Sequence, residues 1–350
     1  MRWTRREWLR MLGLMPLGLG VVPRWQPVLR EGRAPLLRPP GLRPGATVAI
    51  TAPASPVHPR ELRPALEALQ SLGCRVVLGR TVQSGRQRYL AAPDRERAHE
   101  LMELVADPQV DAVLCARGGY GVMRLLPFLE WGHFRRFPKP LIGFSDITAL
   151  LLALTTRARI VTYHGPVAVS TFDAFTLDSF RRTLFLPEGA TQPWSLQDSR
   201  WEVLAPGTAC GPLLGGNLSL LVSLLGTPYE PELRGAVLFL EDIGEEPYRV
   251  DRMLTQLLLA GKLQQCVAIL LGRFRAPWGQ KRRGSSIGWQ PPLPEIFRDR
   301  LGGLGIPILA GVPIGHLRSK LTLPLGVWAE VNTQTRTIRL VEPSVADEVA

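Results

Sequence analysis

Residues 140–151 read PLIGFSDITALL: an apolar run ending at Phe144, the polar pair Ser145-Asp146, and a second apolar run. The first run does not alternate, so as a strand it is covered on both faces. The second follows a helix start signal, a serine or aspartate placed directly before an apolar stretch. Strand, tight turn and helix make half of a βαβ unit, and the same rhythm extends to either side. Upstream come TVAITAP (Thr47–Pro53), helical periodicity from His58 to Leu72, RVVLG from Arg75, a charged amphipathic helix from Asp94 to Ala106, and DAVLCA (Asp111–Ala116), followed by RGGYG and a helix through Leu129. Downstream the helix runs from Ile147 to about Thr156, and RIVTYH (Arg159–His164) is a fifth strand. Strands alternating with helices predict a parallel sheet covered on both faces. Right-handed crossovers bring every strand's C-terminal end to one edge, where ligands bind.

Beyond residue 167 the character changes. FDAFTLDSF and LPEGATQPW read as a connector with one short helix. A second α/β domain begins near Gly211. It has a helix after Gly215-Gly216-Asn217, the strand AVLFLE, a helix over Tyr248–Gly261, the strands CVAILLG and IPILAG, and a closing hairpin of VWAEVN and TIRLVE. This mix predicts antiparallel or barrel-like parts. The expected organisation is residues 1–40 as export signal and linker, 41–170 as the N-terminal α/β/α domain, 171–205 as connector, and 206–345 as the C-terminal domain.

The 350 residues are 45% apolar and 21% charged, with a net charge of +12, which fits a globular chain with real cores. Lysine occurs only at positions 139, 262, 281 and 320, so the positive charge is nearly all arginine, scattered along the chain. No run of basic and aromatic residues forms a base-stacking platform, and nucleic acid is not expected as a partner. Cys74, Cys115, Cys210 and Cys266 form no C-x-x-C pair, and no histidine spacing resembles a metal site, so no metal or cofactor is expected.

Near the N-terminus, TRREWLR (Thr4–Arg10) precedes the apolar run MLGLMPLGLGVV. Paired arginines before a short apolar run are a twin-arginine export signal. The run falls short of the roughly 20 residues that span a bilayer. No small-x-small cleavage site follows, so an uncleaved segment could tether the chain to a membrane. The expected destination is the cell envelope or periplasm, with the cytoplasm as the alternative.

Four stretches carry candidate chemistry. In IGFSD, a sharp strand-to-helix turn lifts Ser145 clear of the sheet, and the helix start leaves backbone N–H groups free for a developing oxyanion. Only half of the usual G-x-S-x-G is present: Gly143 stands two before the serine, but Ile147 two after it. Taken alone, Ser145 reads equally as a helix cap. In ARGGYG, the amide of Gly118 or Gly119 can join that of Asp146 as an oxyanion donor, or the glycines can simply serve a tight turn. In AVLFLED, Glu241 closes an apolar strand on the face of Val237 and Phe239, with Asp242, Glu245 and Glu246 as rival acids. In GVPIGH, His316 follows a turn, and His164 competes with it as a base from the same sheet edge as Ser145. Asn217 reads as a helix cap.

Together, TAPAS, RGGYG, IGFSD, HGP, GGNLSLL, FLEDIGEEPYRVDRML, GVPIGH and LPLG, in that order, resemble the serine LD-carboxypeptidases, or muramoyltetrapeptide carboxypeptidases, from about Thr47 to Pro343. The resemblance implies an α/β N-terminal domain, a β-rich C-terminal domain of swivelling character, a site between them, and a homodimer. It implies Ser145 as nucleophile, His316 as general base, Glu241 as triad acid, and the amides of Asp146 and Gly119 (or Gly118) as oxyanion donors, with no cofactor. The implied reaction releases the terminal D-alanine of a peptidoglycan stem tetrapeptide through an acyl-enzyme. Two alternatives are hydrolysis of a peptide-nucleotide antibiotic at the same triad, and a non-catalytic muropeptide-binding protein.

Overall fold

The computed structural model describes residues 36–83, 89–186, 194–275 and 291–347. The twin-arginine segment lies outside the described residues. The first sheet is built from β1 (Thr47–Thr51), β2 (Arg75–Leu78), β3 (Ala112–Cys115), β4 (Leu141–Gly143) and β5 (Thr162–His164). These five run parallel in the order β5-β4-β3-β1-β2. All residues of β1, β3, β4 and β5 are buried, as expected of strands covered on both faces.

The second sheet has eight strands. Four come early: β6 (Ser195–Gln197), β7 (Glu202–Ala205), β8 (Thr208–Asn217) and β9 (Val237–Ile243). Then follow β10 (Ala268–Arg275) and β11 (Ile308–Ala310). After them the chain returns to the first sheet, where β12 (Leu323–Leu325) pairs antiparallel with β5. The hairpin β13 (Trp328–Asn332) and β14 (Thr337–Leu340) completes the second sheet, in the order β6-β14-β13-β8-β9-β10-β11-β7. Its centre, β8-β9-β10-β11, is parallel, and the flanking strands are antiparallel. The architecture is the expected α/β pairing of a parallel sheet with a β-rich part.

Two elements differ from the sequence reading. The stretch taken as connector contains β6 and β7 besides its helix Ala174–Leu184. Both strands are short and half exposed, so neither shows an apolar run. LPL at 323–325 is an edge strand whose proline masks its strand character.

The two sheets abut near the C-terminal ends of their parallel strands. The helix after the nucleophile turn, Thr148–Ala153, lies against β8, where Asn217 N–H donates to Thr148 Oγ1 at 3.1 Å. A Cβ at Gly216 would come within 2.6 Å of Thr148 Cγ2, so close approach requires glycine there. The loop between β11 and β12 runs over this junction and carries His316.

Candidate active site

β4 ends at Gly143, Phe144 stays extended, and Ser145 begins a 3-10 turn that leads into Thr148–Ala153. Ser145 has φ +65°, one of three non-glycine residues with positive φ among the described residues. A serine held there costs about 1 kcal/mol or more, and such strain collects where a side chain must be aimed. The turn explains its own glycine: a Cβ at Gly143 would sit 2.7 Å from Ile147 Cγ2. Ile147, standing where a G-x-S-x-G motif has its second glycine, is buried against that backbone.

The second wall is the loop after β3. A Cβ at Gly118 would lie 2.8 Å from Ser145 Cβ, 3.0 Å from its Oγ and 3.2 Å from Asp146 N. Gly118 C=O accepts from Ser55 N–H, which turns the Gly119 N–H of the same peptide the opposite way. Among the described residues, neither Gly119 N–H nor Asp146 N–H has an acceptor. Both are free to act as oxyanion donors. The Asp146 side chain clamps the glycine loop to the turn, because its Oδ2 accepts Val122 N–H at 2.9 Å. Burial raises the Asp146 pKa, opposed by the Val122 hydrogen bond and the Arg97 charge.

Arg97 holds the loops from beneath. Its guanidinium is fully buried and donates to the carbonyls of Ala92, Pro53 and Gly121 and to Asp94. In the sequence it is one charge among many on an amphipathic helix.

Across the junction, Glu241 is completely buried in β9, and its Oε2 lies 2.8 Å from His316 Nδ1. Asn217 Nδ2 donates to Glu241 Oε1 at 3.4 Å and to Asp242 Oδ1 at 3.0 Å, while its Oδ1 caps the next helix through Leu220 N–H. The sequence reading recognised Asn217 as a cap but missed its hold on the two acids. A Cβ on Gly315 (φ +94°) would overlap the Glu241 carboxylate, so the glycine before the histidine lets the acid approach. The rival Asp242 is engaged otherwise: it accepts from Ser219 N–H, Ser219 Oγ and Ile243 N–H, and burial raises its pKa.

The His316 ring packs on Phe144, centroids 4.8 Å apart, which sets the imidazole beside the residue preceding Ser145. With Nδ1 facing Glu241, Nε2 remains free, as does Ser145 Oγ, among the described residues. His164 is placed differently. It is wedged between Phe144 and Phe239, buried, with both ring nitrogens unpartnered. Desolvation foremost, then the charge of His316, pulls its pKa down to about 3. An imidazole kept neutral in an apolar wedge, with no contact to a carboxylate, is a poor base. The other histidines have structural partners: His58 caps a 3-10 turn, His99 pairs with Glu103, and His133 bonds Met102 C=O. All four cysteines are free thiols, and burial pushes Cys74 up to about 11 and Cys266 up to about 12.

The fold and this constellation describe an α/β hydrolase-like site divided between two sheets. Residues 48–165 match the family model of the LD-carboxypeptidase N-terminal domain, and residues 210–331 that of the C-terminal domain. A putative carboxypeptidase of Streptomyces coelicolor is 42% identical, covering 89% of this chain and 98% of that protein. A probable murein peptide carboxypeptidase of Bacillus subtilis is 39% identical over 89% and 96%, and a murein tetrapeptide carboxypeptidase of Pseudomonas aeruginosa 34% over 87% and 94%. Among solved structures, the muramoyltetrapeptide carboxypeptidase of Oxalobacter formigenes superposes with TM-score 0.73 at 32% identity, over 84% of this chain and 98% of that one. The microcin C7 self-immunity protein MccF, in complex with glutamyl sulfamoyl guanosine, gives 0.76 at 27% identity, over 89% and 100%. The chain belongs to the LD-carboxypeptidase family, and it is a carboxypeptidase of murein-derived peptides.

Proposed function

We propose that this carboxypeptidase is of the serine type, and that it removes the terminal D-alanine from peptidoglycan stem tetrapeptides. The observation that carries the reading is the buried Glu241–His316 pair, 2.8 Å apart, facing a serine held at positive φ beside two free amides. His316 Nε2 takes the Ser145 proton as Oγ attacks the carbonyl of the L-centre. Glu241 holds the imidazole tautomer and balances the imidazolium. The amides of Asp146 and Gly119 receive the oxyanion. His316 then returns the proton to the departing D-alanine amine, and water attacks the acyl-enzyme by the same base. Nucleophile and base stand on different sheets, so substrate closing the junction brings Oγ to Nε2.

The test is incubation with a stem tetrapeptide and detection of tripeptide plus D-alanine by mass spectrometry. Ser145→Ala must abolish product while retaining the fold. Full activity in Ser145→Ala sinks the reading.

A second reading, hydrolysis of peptide-nucleotide antibiotics, draws on the likeness to MccF. Faster turnover of a glutamyl sulfamoyl nucleoside than of the tetrapeptide would favour it. Export through the twin-arginine segment, a membrane tether and a homodimer belong to the same proposal. A residues 1–40 fusion whose periplasmic appearance requires the twin-arginine machinery, and light scattering of the purified protein, check them.

A further inference from the structure

Lys320 is a buried lysine beside the active site that the mechanism above leaves unused. It lies on the loop that carries His316, is only 4% exposed, and holds its Nζ 5.5 Å above the Phe144 ring. Its backbone is anchored, with N–H donating to Thr176 Oγ1 at 3.0 Å. Among the described residues the ammonium itself has no hydrogen-bond acceptor and no ion-pair partner. Asp173 and Glu241 act on it only through space. Asp173 is already engaged by Ser319 Oγ and by Thr176 N–H.

Taking an ammonium out of water without a partner is costly, and a hydrophobic residue would serve packing better. Such a cation is accounted for if an anion arrives to complete it. The reaction supplies one. The general acid that protonates the leaving amine must stand within hydrogen-bond reach of that nitrogen. The terminal carboxylate of the leaving amino acid hangs from the next carbon, so it falls on the His316 side of the scissile bond. Lys320 and His316 share one face of reference, the Phe144 ring, at 5.5 Å and 4.8 Å. The other cations near the site are occupied. Arg97 is spent on backbone carbonyls, and Arg117 bonds Pro56 C=O and pairs with Glu61.

We propose that Lys320 is the receptor for the substrate's C-terminal carboxylate, and hence the residue that makes this site a carboxypeptidase rather than an endopeptidase. The inference rests on the serine LD-carboxypeptidase reading above. Lys320 Nζ would donate charge-assisted hydrogen bonds to the carboxylate, leaving Ser145 opposite the preceding carbonyl.

The experiment compares a stem tetrapeptide ending in a free acid with the same peptide ending in a primary amide. Binding is measured by calorimetry in Ser145→Ala, and turnover in the native chain. The free acid should be preferred by about 10- to 100-fold, the size expected for a charge-assisted pair. Lys320→Met should bind both peptides alike, at the level of the amide, while Lys320→Arg retains the preference. Loss of kcat on acid and amide in equal proportion, with the preference intact, would mark Lys320 as a mere support for Phe144 and overturn the proposal. So would an undiminished preference in Lys320→Met. Should Lys320→Met not fold, Lys320→Gln gives the same reading, since it keeps a polar head without charge. A native chain that turns over neither peptide refutes the underlying function instead, and that result is distinct from all the others.

Discussion

Gly118→Ala separates catalysis from stability more cleanly than removal of any side chain. Gly118 is not held at positive φ, so alanine fits its backbone. The added methyl would meet Ser145 Cβ at 2.8 Å, Ser145 Oγ at 3.0 Å and Asp146 N at 3.2 Å. Carbon atoms rest at about 3.5–4.0 Å, so the turn or the loop must yield by roughly half an ångström or more. Neither can do so freely. Ser145 is fixed by its own strained φ, and the loop is tied through Asp146 to Val122 and through Arg97 to Gly121. Overpacking of this kind costs about 1–3 kcal/mol of stability, a melting shift of several degrees at most in a chain of this size. The catalytic loss should be larger. Losing one oxyanion donor costs about 10²- to 10³-fold, and here the methyl also displaces the nucleophile, so kcat/KM should fall by about 10³-fold or more. The assay is D-alanine release from tetrapeptide, run beside a thermal melt of the same sample. A Gly118→Ala protein with unchanged melting and kcat/KM within tenfold of the native value would refute this account of the oxyanion site.

Glu241→Gln should leave the fold intact and lower kcat by about 10⁴-fold, since the amide can hold His316 in the wrong tautomer; steady-state kinetics with a circular dichroism control decide it. For Lys320, burial first of all lowers the pKa from 10.5 to about 8, which corresponds to about 3 kcal/mol of charge burial below that pH. Between about pH 8 and 10.5 the unfolded chain keeps a proton that the folded one has shed, so native stability rises with pH across that window. Lys320→Met should therefore be the more stable protein at pH 7 by up to about 3 kcal/mol, with the gap closing above pH 10.5 in urea titrations. His164 acts on the acid side. Its pKa falls from 6.5 to about 3, so as pH drops through that range the unfolded chain gains a proton the folded chain refuses, at up to ~1.4 kcal/mol per pH step. His164→Phe should flatten the acid limb of unfolding curves taken between pH 4 and 7, while an unchanged slope would show that another group governs it.

Glycine placement was legible wherever sterics are local. Gly143 two residues before the nucleophile and the glycine loop after β3 are written in short motifs, because a strand-to-helix turn and a close backbone approach demand them at fixed offsets. The buried parallel strands were legible for a similar reason: continuous apolar runs suit strands covered on both faces. Ser145 was ambiguous by itself. A cap and a nucleophile occupy the same position in a sequence, and only φ +65° and the nearness of Gly118 tell them apart.

By itself, then, the sequence determined the α/β class, the order of the strands that carry the site, and a short set of candidates in which Ser145, Glu241 and His316 stood beside rivals. Tertiary structure decided among those rivals. His164 and His316 are both histidines near a sheet edge, but one lies dry between Phe144 and Phe239 and the other meets a carboxylate. Glu241 and Asp242 are neighbours on one strand, and pleating sends the first to His316 and the second to Ser219. β12, which returns from residue 323 to the first sheet, and Lys320 just before it owe their roles to chain return. Burial and long-range pairing set what a charge or a ring nitrogen can do, and neither is encoded at any fixed spacing along the chain.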